Sequence, residues 1–144
     1  MGLEYHPAQG AILKVRFDDA FEEPEMVKTR LCVVLSKAMK GRGKLVTVVP
    51  LSLSEPETVR DWHTQLDIPF RLPKSWGDKT RWVKGDMLYA AGFHRCDLLR
   101  LGKDEGGKRI YQTEALPAED LARIQLCVLH GLSMGGLTGR LSGD

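Results

Sequence analysis

Two short apolar segments, residues 30–36 (RLCVVLS) and 44–50 (KLVTVVP), constrain this chain more than any other feature. Each is too short for a buried helix and is rich in β-branched residues, so each reads as a strand buried on both faces. The glycine-containing basic stretch between them predicts a hairpin. Upstream, residues 11–17 put Leu13, Val15 and Phe17 on one side and Lys14 and Arg16 on the other. That period-two alternation predicts a half-exposed strand.

The rest of the chain adds short extended pieces and one helix. Residues 54–58, with Pro56, predict a turn or a single helical turn. Residues 62–68 predict another strand, and residues 69–78, with Pro69, Pro73 and Gly77, an irregular loop. Residues 80–84 and 87–91 read as extended around Gly85, and 109–113 as a short strand after Gly106 and Gly107. Residues 116–132 predict a helix, with Pro117, Glu119 and Asp120 in its first turn and Gly131 at its end. Leu121, Ile124, Val128 and Leu132 form its expected buried stripe. The expected architecture is α+β and mainly β, a small barrel closed by a C-terminal helix. It is expected as one domain over residues 1–132, followed by a flexible Gly/Ser-rich tail at 133–144.

Composition excludes several classes. Hydrophobic residues make up 42% and charged residues 28% of the chain, a globular rather than a disordered balance. No apolar run approaches the ~20 residues that span a bilayer, so no membrane partner is expected. The first ten residues lack the apolar core of a secretory signal, which places the expected location in the cytoplasm. Cys32, Cys96 and Cys127 have no CxxC spacing, and His6, His63, His94 and His130 show no ligand spacing, so no disulfide, metal or other cofactor is expected.

The net charge of +2 says little, but its distribution is uneven. Residues 18–25 hold five acidic residues and no basic one, and residues 37–44 hold four basic residues and no acidic one. Residues 71–84 hold five basic residues against Asp78 alone. This pattern fits either a polarised, phosphate-seeking surface or ordinary solvated loops.

Three segments in order resemble a known family. PEMVKTR (24–30) runs into LCVVLS (31–36), VVPLS spans 48–52, and WVKGDML spans 82–88. Together they resemble the MazF/PemK/Kid type II toxin ribonucleases, in a PemK-like branch with extended loops. The resemblance implies a CcdB/PemK-type, SH3-like barrel that forms a homodimer. It also implies metal-independent cleavage of single-stranded RNA, including mRNA, in a groove that a cognate antitoxin protein blocks.

It further implies the site. Arg30 matches the family's catalytic arginine, and a guanidinium can make two parallel hydrogen bonds to a phosphate. Ser52 falls at the family's Thr/Ser position, where a hydroxyl can hold a phosphate oxygen. Lys84 and Asp86 occupy the positions of a Kid-like Arg/Asp acid–base pair, with lysine losing the bidentate fork. Glu25 matches a loop glutamate that orients the arginine or serves as base. Leu31 replaces the proline usual after the arginine. Read from the residues alone, Arg30 is equally a strand-end arginine, Ser52 a turn serine, Lys84 and Asp86 a same-face ion pair, and Glu25 one of several loop acids. Lys28, Lys37, Lys40, Arg42, Lys44, Lys79 and Arg81 are candidate phosphate contacts, and Trp76 a candidate base-stacking platform, with Trp82 read rather as a core or dimer contact. The alternative function is a catalytically inactive PemK-like barrel that binds RNA or a protein partner.

Overall fold

A computed structural model describes residues 2–17 and 21–138. Its strands are β1 (Ile12–Arg16), β2 (Thr29–Val34), β3 (Leu45–Ser52), β4 (His63–Asp67), β5 (Thr80–Lys84), β6 (Tyr89–Gly92), β7 (Cys96–Leu98), β8 (Arg100–Lys103) and β9 (Arg109–Tyr111), followed by helix α1 (Ala118–Gly131). The main sheet runs β4-β5-β3-β2-β1-β7, with β6 also on β3, and β8 and β9 form a separate hairpin.

Strand β3 organises the sheet. One of its edges pairs with β2, from Val34–Val48 to Cys32–Pro50. Its other edge pairs first with β6, from Leu45–Gly92 to Val48–Tyr89, and then with β5 at Leu51–Val83 and Ser52–Trp82. Pro50, which has no N–H to donate, falls where β3 has left β6 and not yet met β5. A 3-10 turn at Gly85–Met87 fills that gap between β5 and β6.

Both faces of the sheet are covered, which is why β2 and β3 read as continuous apolar runs. On one face Leu31, Val33, Val49, Leu51, Leu66 and Val83 pack with Ile124 and Val128 of α1. On the other, Leu13, Val15, Cys32, Val34, Val46 and Val48 pack with Phe17, Phe93 and Cys96. The three cysteines are buried and unbonded. Burial pushes the Cys96 thiol up to about 11, with Asp97 adding to it, and burial likewise raises Cys32 and Cys127, so none is a ready nucleophile.

Several local expectations shift. The buried face of α1 carries Ile124, Cys127 and Val128, with Leu121 half-buried against the core, whereas Leu132 is 48% exposed. The helix stops at Gly131 because that end docks on the Gly85–Met87 turn, so Leu132 lies past the contact. Residues 54–58 form bends rather than a helical turn, and Met87 belongs to the 3-10 turn instead of a strand. Strands β7 and β8 were not foreseen, since Asp97 and Arg100 interrupt any apolar pattern and pairing with β1 defines β7. Residues 133–138, the start of the expected tail, include a 3-10 turn at Gly135–Leu137 tied back to α1 by Met134 N–H to the Leu129 carbonyl at 2.7 Å. The rest of that tail and Asp18 and Asp19 of the acidic loop lie outside the described residues. No described helix is long and apolar enough to cross a membrane.

Candidate functional site

The second apolar face ends abruptly, and the polar residues that follow it form the site. Cys32 on β2 and Val48 on β3 are the last apolar side chains of that core cluster before the strands turn polar. The β2–β3 pairing ends at Cys32–Pro50, and continuing its register by two residues brings Arg30 level with Ser52. Cross-strand partners share a face. Ser52 in turn pairs with Trp82 and Trp82 with Gln65, while two pairs further along Lys84 faces His63. Arg30, Ser52, Trp82, Lys84 and His63 therefore share one face of the sheet, at one end.

Arg30 is half-buried, and its Nε donates to the Val27 carbonyl at 3.1 Å. Among the described residues its two terminal nitrogens have no protein partner, leaving the fork free for an anion. Ser52 is nearly buried at 9% exposure, and its hydroxyl oxygen accepts the Ser54 N–H at 3.1 Å. That bond turns the chain at the end of β3 and leaves the hydroxyl proton available. Ser52 is thus both the turn serine and a member of the face.

Strand β5 ends at Lys84, so Asp86 lies on the 3-10 turn and not two residues along a strand. The same-face geometry expected for this pair does not hold, and among the described residues no ion pair joins them. Asp86 instead lines a cleft of about 300 Å³ with Glu25, Tyr89, Phe17 and Phe21. Phe17, Phe21 and Tyr89 pack edge to face with centroids 5.2–5.5 Å apart, which holds the β1–β2 loop over β6 and sets Glu25 opposite Asp86. Glu25 is exposed, and its Oε1 accepts the Glu22 N–H at 3.4 Å.

The expected phosphate contacts separate into three groups. Lys37, Lys40, Arg42 and Lys44 lie in the β2–β3 loop, at the end of the hairpin opposite Arg30 and Ser52. Along β2 Lys37 is seven residues from Arg30, and along β3 Lys44 is eight from Ser52, about 23–27 Å of extended chain. Arg42 is also engaged within the loop, donating to Thr47 Oγ1 at 2.6 Å. Arg81 is only 4% exposed and points to the helix side of the sheet with Val83, where its guanidinium caps the carbonyls of Asp78 and Trp76. It is a structural staple, unavailable to a ligand. Burial lowers its pKa, with Asp78 opposing and Arg30 adding a smaller push in the same direction, which places the two guanidinium groups within each other's field. Lys28 and Lys79 are exposed, Lys28 with a positive φ of 69° in the turn that leads into β2.

The two tryptophans are both half-buried but sit in different surroundings. Trp76 packs against the core, while Trp82 is half-exposed on the face that carries Ser52. His63 is the member of the face that no motif marked. Only register against Lys84 brings it there, and the poor alternation of residues 62–68 hid it. Among the described residues no group of three His, Cys, Asp or Glu side chains is placed to hold a metal.

Comparison with known proteins agrees with this fold. Residues 8–128 match the family model described as PemK-like, MazF-like toxin of type II toxin-antitoxin system. A Haemophilus influenzae protein is 26% identical over 145 residues, covering 93% of this chain and 95% of that protein. The Escherichia coli K12 protein YifN is 24% identical over 154 residues, covering 92% and 96%. Among solved structures, MazF from Deinococcus radiodurans superposes with a TM-score of 0.59 at 20% identity, covering 91% of this chain and all of that one. A mycobacterial endoribonuclease in complex with its cognate antitoxin gives 0.57 at 12% identity, covering 90% and 97%.

Proposed function

The chain belongs to the PemK-like, MazF-like toxin family of type II toxin–antitoxin systems, and from that premise we propose that it is an endoribonuclease that cuts single-stranded RNA at the Arg30–Ser52 face. The observation that carries the proposal is the Arg30 fork, whose terminal nitrogens have no partner among the described residues, on the continuation of the register that leads to the Ser52 hydroxyl.

The chemistry follows from the residues present. Arg30 takes two phosphate oxygens and stabilises the charge that grows on them as the RNA 2′-oxygen attacks phosphorus. Ser52 donates a hydrogen bond to one of the same two non-bridging oxygens. Glu25 and Asp86, on the shared cleft, supply the carboxylate that accepts the 2′-hydroxyl proton. The P–O5′ bond breaks as the P–O2′ bond forms, and the Lys84 ammonium gives a proton to the leaving 5′-oxygen. Incubation of the purified protein with a long single-stranded RNA in EDTA tests this. Discrete cuts that disappear in Arg30→Ala are expected, whereas intact RNA with retained binding would establish the inactive, RNA-binding alternative.

Trp82 supplies a stacking surface for an unpaired base. Trp82→Ala is expected to weaken binding of a single-stranded oligonucleotide by about 5- to 100-fold, the ~1–3 kcal/mol of one base stack, without lowering the melting temperature. Trp76→Ala is expected to do the reverse. Equal effects on binding from both variants would remove Trp82 from the groove.

The family reading also carries a homodimer and an antitoxin that closes the groove. An apolar groove of about 680 Å³ between α1 and the sheet, lined by Leu35, Leu88, Leu126 and Leu129, supports an association surface, as does the 41% exposure of Leu126. Light scattering at micromolar concentration should give twice the chain mass. A monomer mass there would exclude the dimer.

A further inference from the structure

We propose that His63 and Arg60 hold the RNA phosphate next to the scissile one, with His63 serving as a fixed hydrogen-bond donor and with Lys84 standing between the two phosphates. This rests on the RNA reading above and extends it to a residue that none of the family-like segments includes.

The tautomer of His63 follows from its partner. The Arg60 backbone N–H donates to His63 Nδ1 at 3.0 Å. A backbone N–H can only donate, so Nδ1 carries a lone pair and the proton of the neutral ring sits on Nε2. Adding a second proton would set N–H against N–H. Burial lowers the pKa of His63 most, Lys84 lowers it further, Asp86 opposes, and Arg60 adds a smaller depression. Those are the charged groups that act on the ring from its own turn, from β5 and from the 85–87 turn. Asp61 next to it is turned toward His130 of α1, 3.4 Å away. The ring is therefore neutral near pH 7. It cannot serve as a base through Nε2 without breaking the Arg60 bond, nor as an imidazolium acid. What it offers is one N–H, with the Trp62 ring 5.7 Å away as a wall.

Distance assigns that N–H to a different phosphate from the one at Arg30. Strands β5 and β3 lie between β4 and β2, so His63 is three strand spacings from Arg30. At ~4.8 Å per spacing this is about 14 Å along the sheet, too far for one phosphate to bridge. Lys84 is opposite His63 and two residues along β5 from Trp82, the partner of Ser52, between the two positions. A neutral donor beside exposed Arg60 binds an anion without adding charge repulsion against Lys84.

The test compares wild type, His63→Ala and His63→Gln, whose side-chain amide keeps an N–H. Cleavage of single-stranded RNA gives kcat and KM, and binding of a 2′-O-methyl RNA oligonucleotide gives Kd. His63→Ala is expected to raise KM and Kd about tenfold with kcat within about threefold, in the range of one hydrogen bond to a charged group. His63→Gln should restore most of that loss. A His63→Ala variant that binds and cuts like wild type overturns the subsite alone. So does a large fall in kcat at unchanged KM with loss of a pH limb, which would make His63 an acid or base. So does an equal loss in the Ala and Gln variants together with a lowered melting temperature, which would make it structural. A wild-type protein that neither binds nor cuts RNA overturns the nuclease reading with it.

Discussion

Arg30→Ala is expected to lower kcat/KM for single-stranded RNA by about 10²–10³-fold, the usual effect of removing one preorganised donor from a developing oxyanion, while the protein stays folded. The separation of the two effects follows from how Arg30 is held. Its only protein hydrogen bond among the described residues is Nε to the Val27 carbonyl, and the side chain is half-exposed. Losing one such bond costs about 1 kcal/mol, a few degrees in melting temperature. Arg30→Lys should recover only part of the rate, because an ammonium keeps the charge and loses the two-pronged geometry. A rate profile with gel-resolved products, paired with a thermal melt, measures both. Wild-type cutting by Arg30→Ala would remove this arginine from the reaction.

Gly85→Ala is expected to destabilise the protein by about 3 kcal/mol, at the upper end of overpacking effects, and to lower the melting temperature by roughly 10 °C. A Cβ at Gly85 would lie 2.6 Å from the Cys127 carbonyl oxygen and 2.7 Å from the Trp62 carbonyl oxygen. A Cβ at Gly131 would lie 2.7 Å from the Gly85 oxygen and 2.8 Å from Asp86 N. All of these neighbours are backbone atoms, so the clash cannot be relieved by turning a side chain. The end of α1 must lift off the turn, straining the Gly85 N–H bond to the Trp62 carbonyl at 2.9 Å. Because Lys84 and Asp86 flank Gly85, activity should fall along with stability. Differential scanning calorimetry checks the first effect and cleavage well below the transition the second. A melting temperature within 2 °C of wild type would mean that the helix does not pack this closely.

Much of the fold was legible in the chain. Residues 30–36 and 44–50 announced β2 and β3 because a strand buried on both faces needs uninterrupted apolar side chains. Residues 116–132 announced α1 because Pro117, Glu119 and Asp120 suit a helix start. The weak points were places where the pattern carries little local information. Strands β7 and β8 are short and polar, and Asp86 sits in a turn whose conformation is set by the two glycines that meet there. Arg81 and Trp76 looked like surface residues by type, but their carbonyl and core contacts come from chain segments that only folding brings near.

The candidate site divides in the same way. The MazF/PemK-like segments named Arg30, Ser52, Glu25, Lys84 and Asp86, since residue type and spacing mark positions along the chain. They did not give their mutual placement. By itself the sequence determined the buried strands β2 and β3, the helix and the family, because apolar run length, helix-start residues and motif order are properties of neighbouring residues. Tertiary structure alone decided that Ser52 pairs with Trp82, that Trp76 packs against the core, that the 37–44 basic loop lies at the other end of the β2–β3 hairpin, and that His63 faces Lys84. Each of these depends on the register between strands, and a shift of one residue would turn every side chain in the row to the other face.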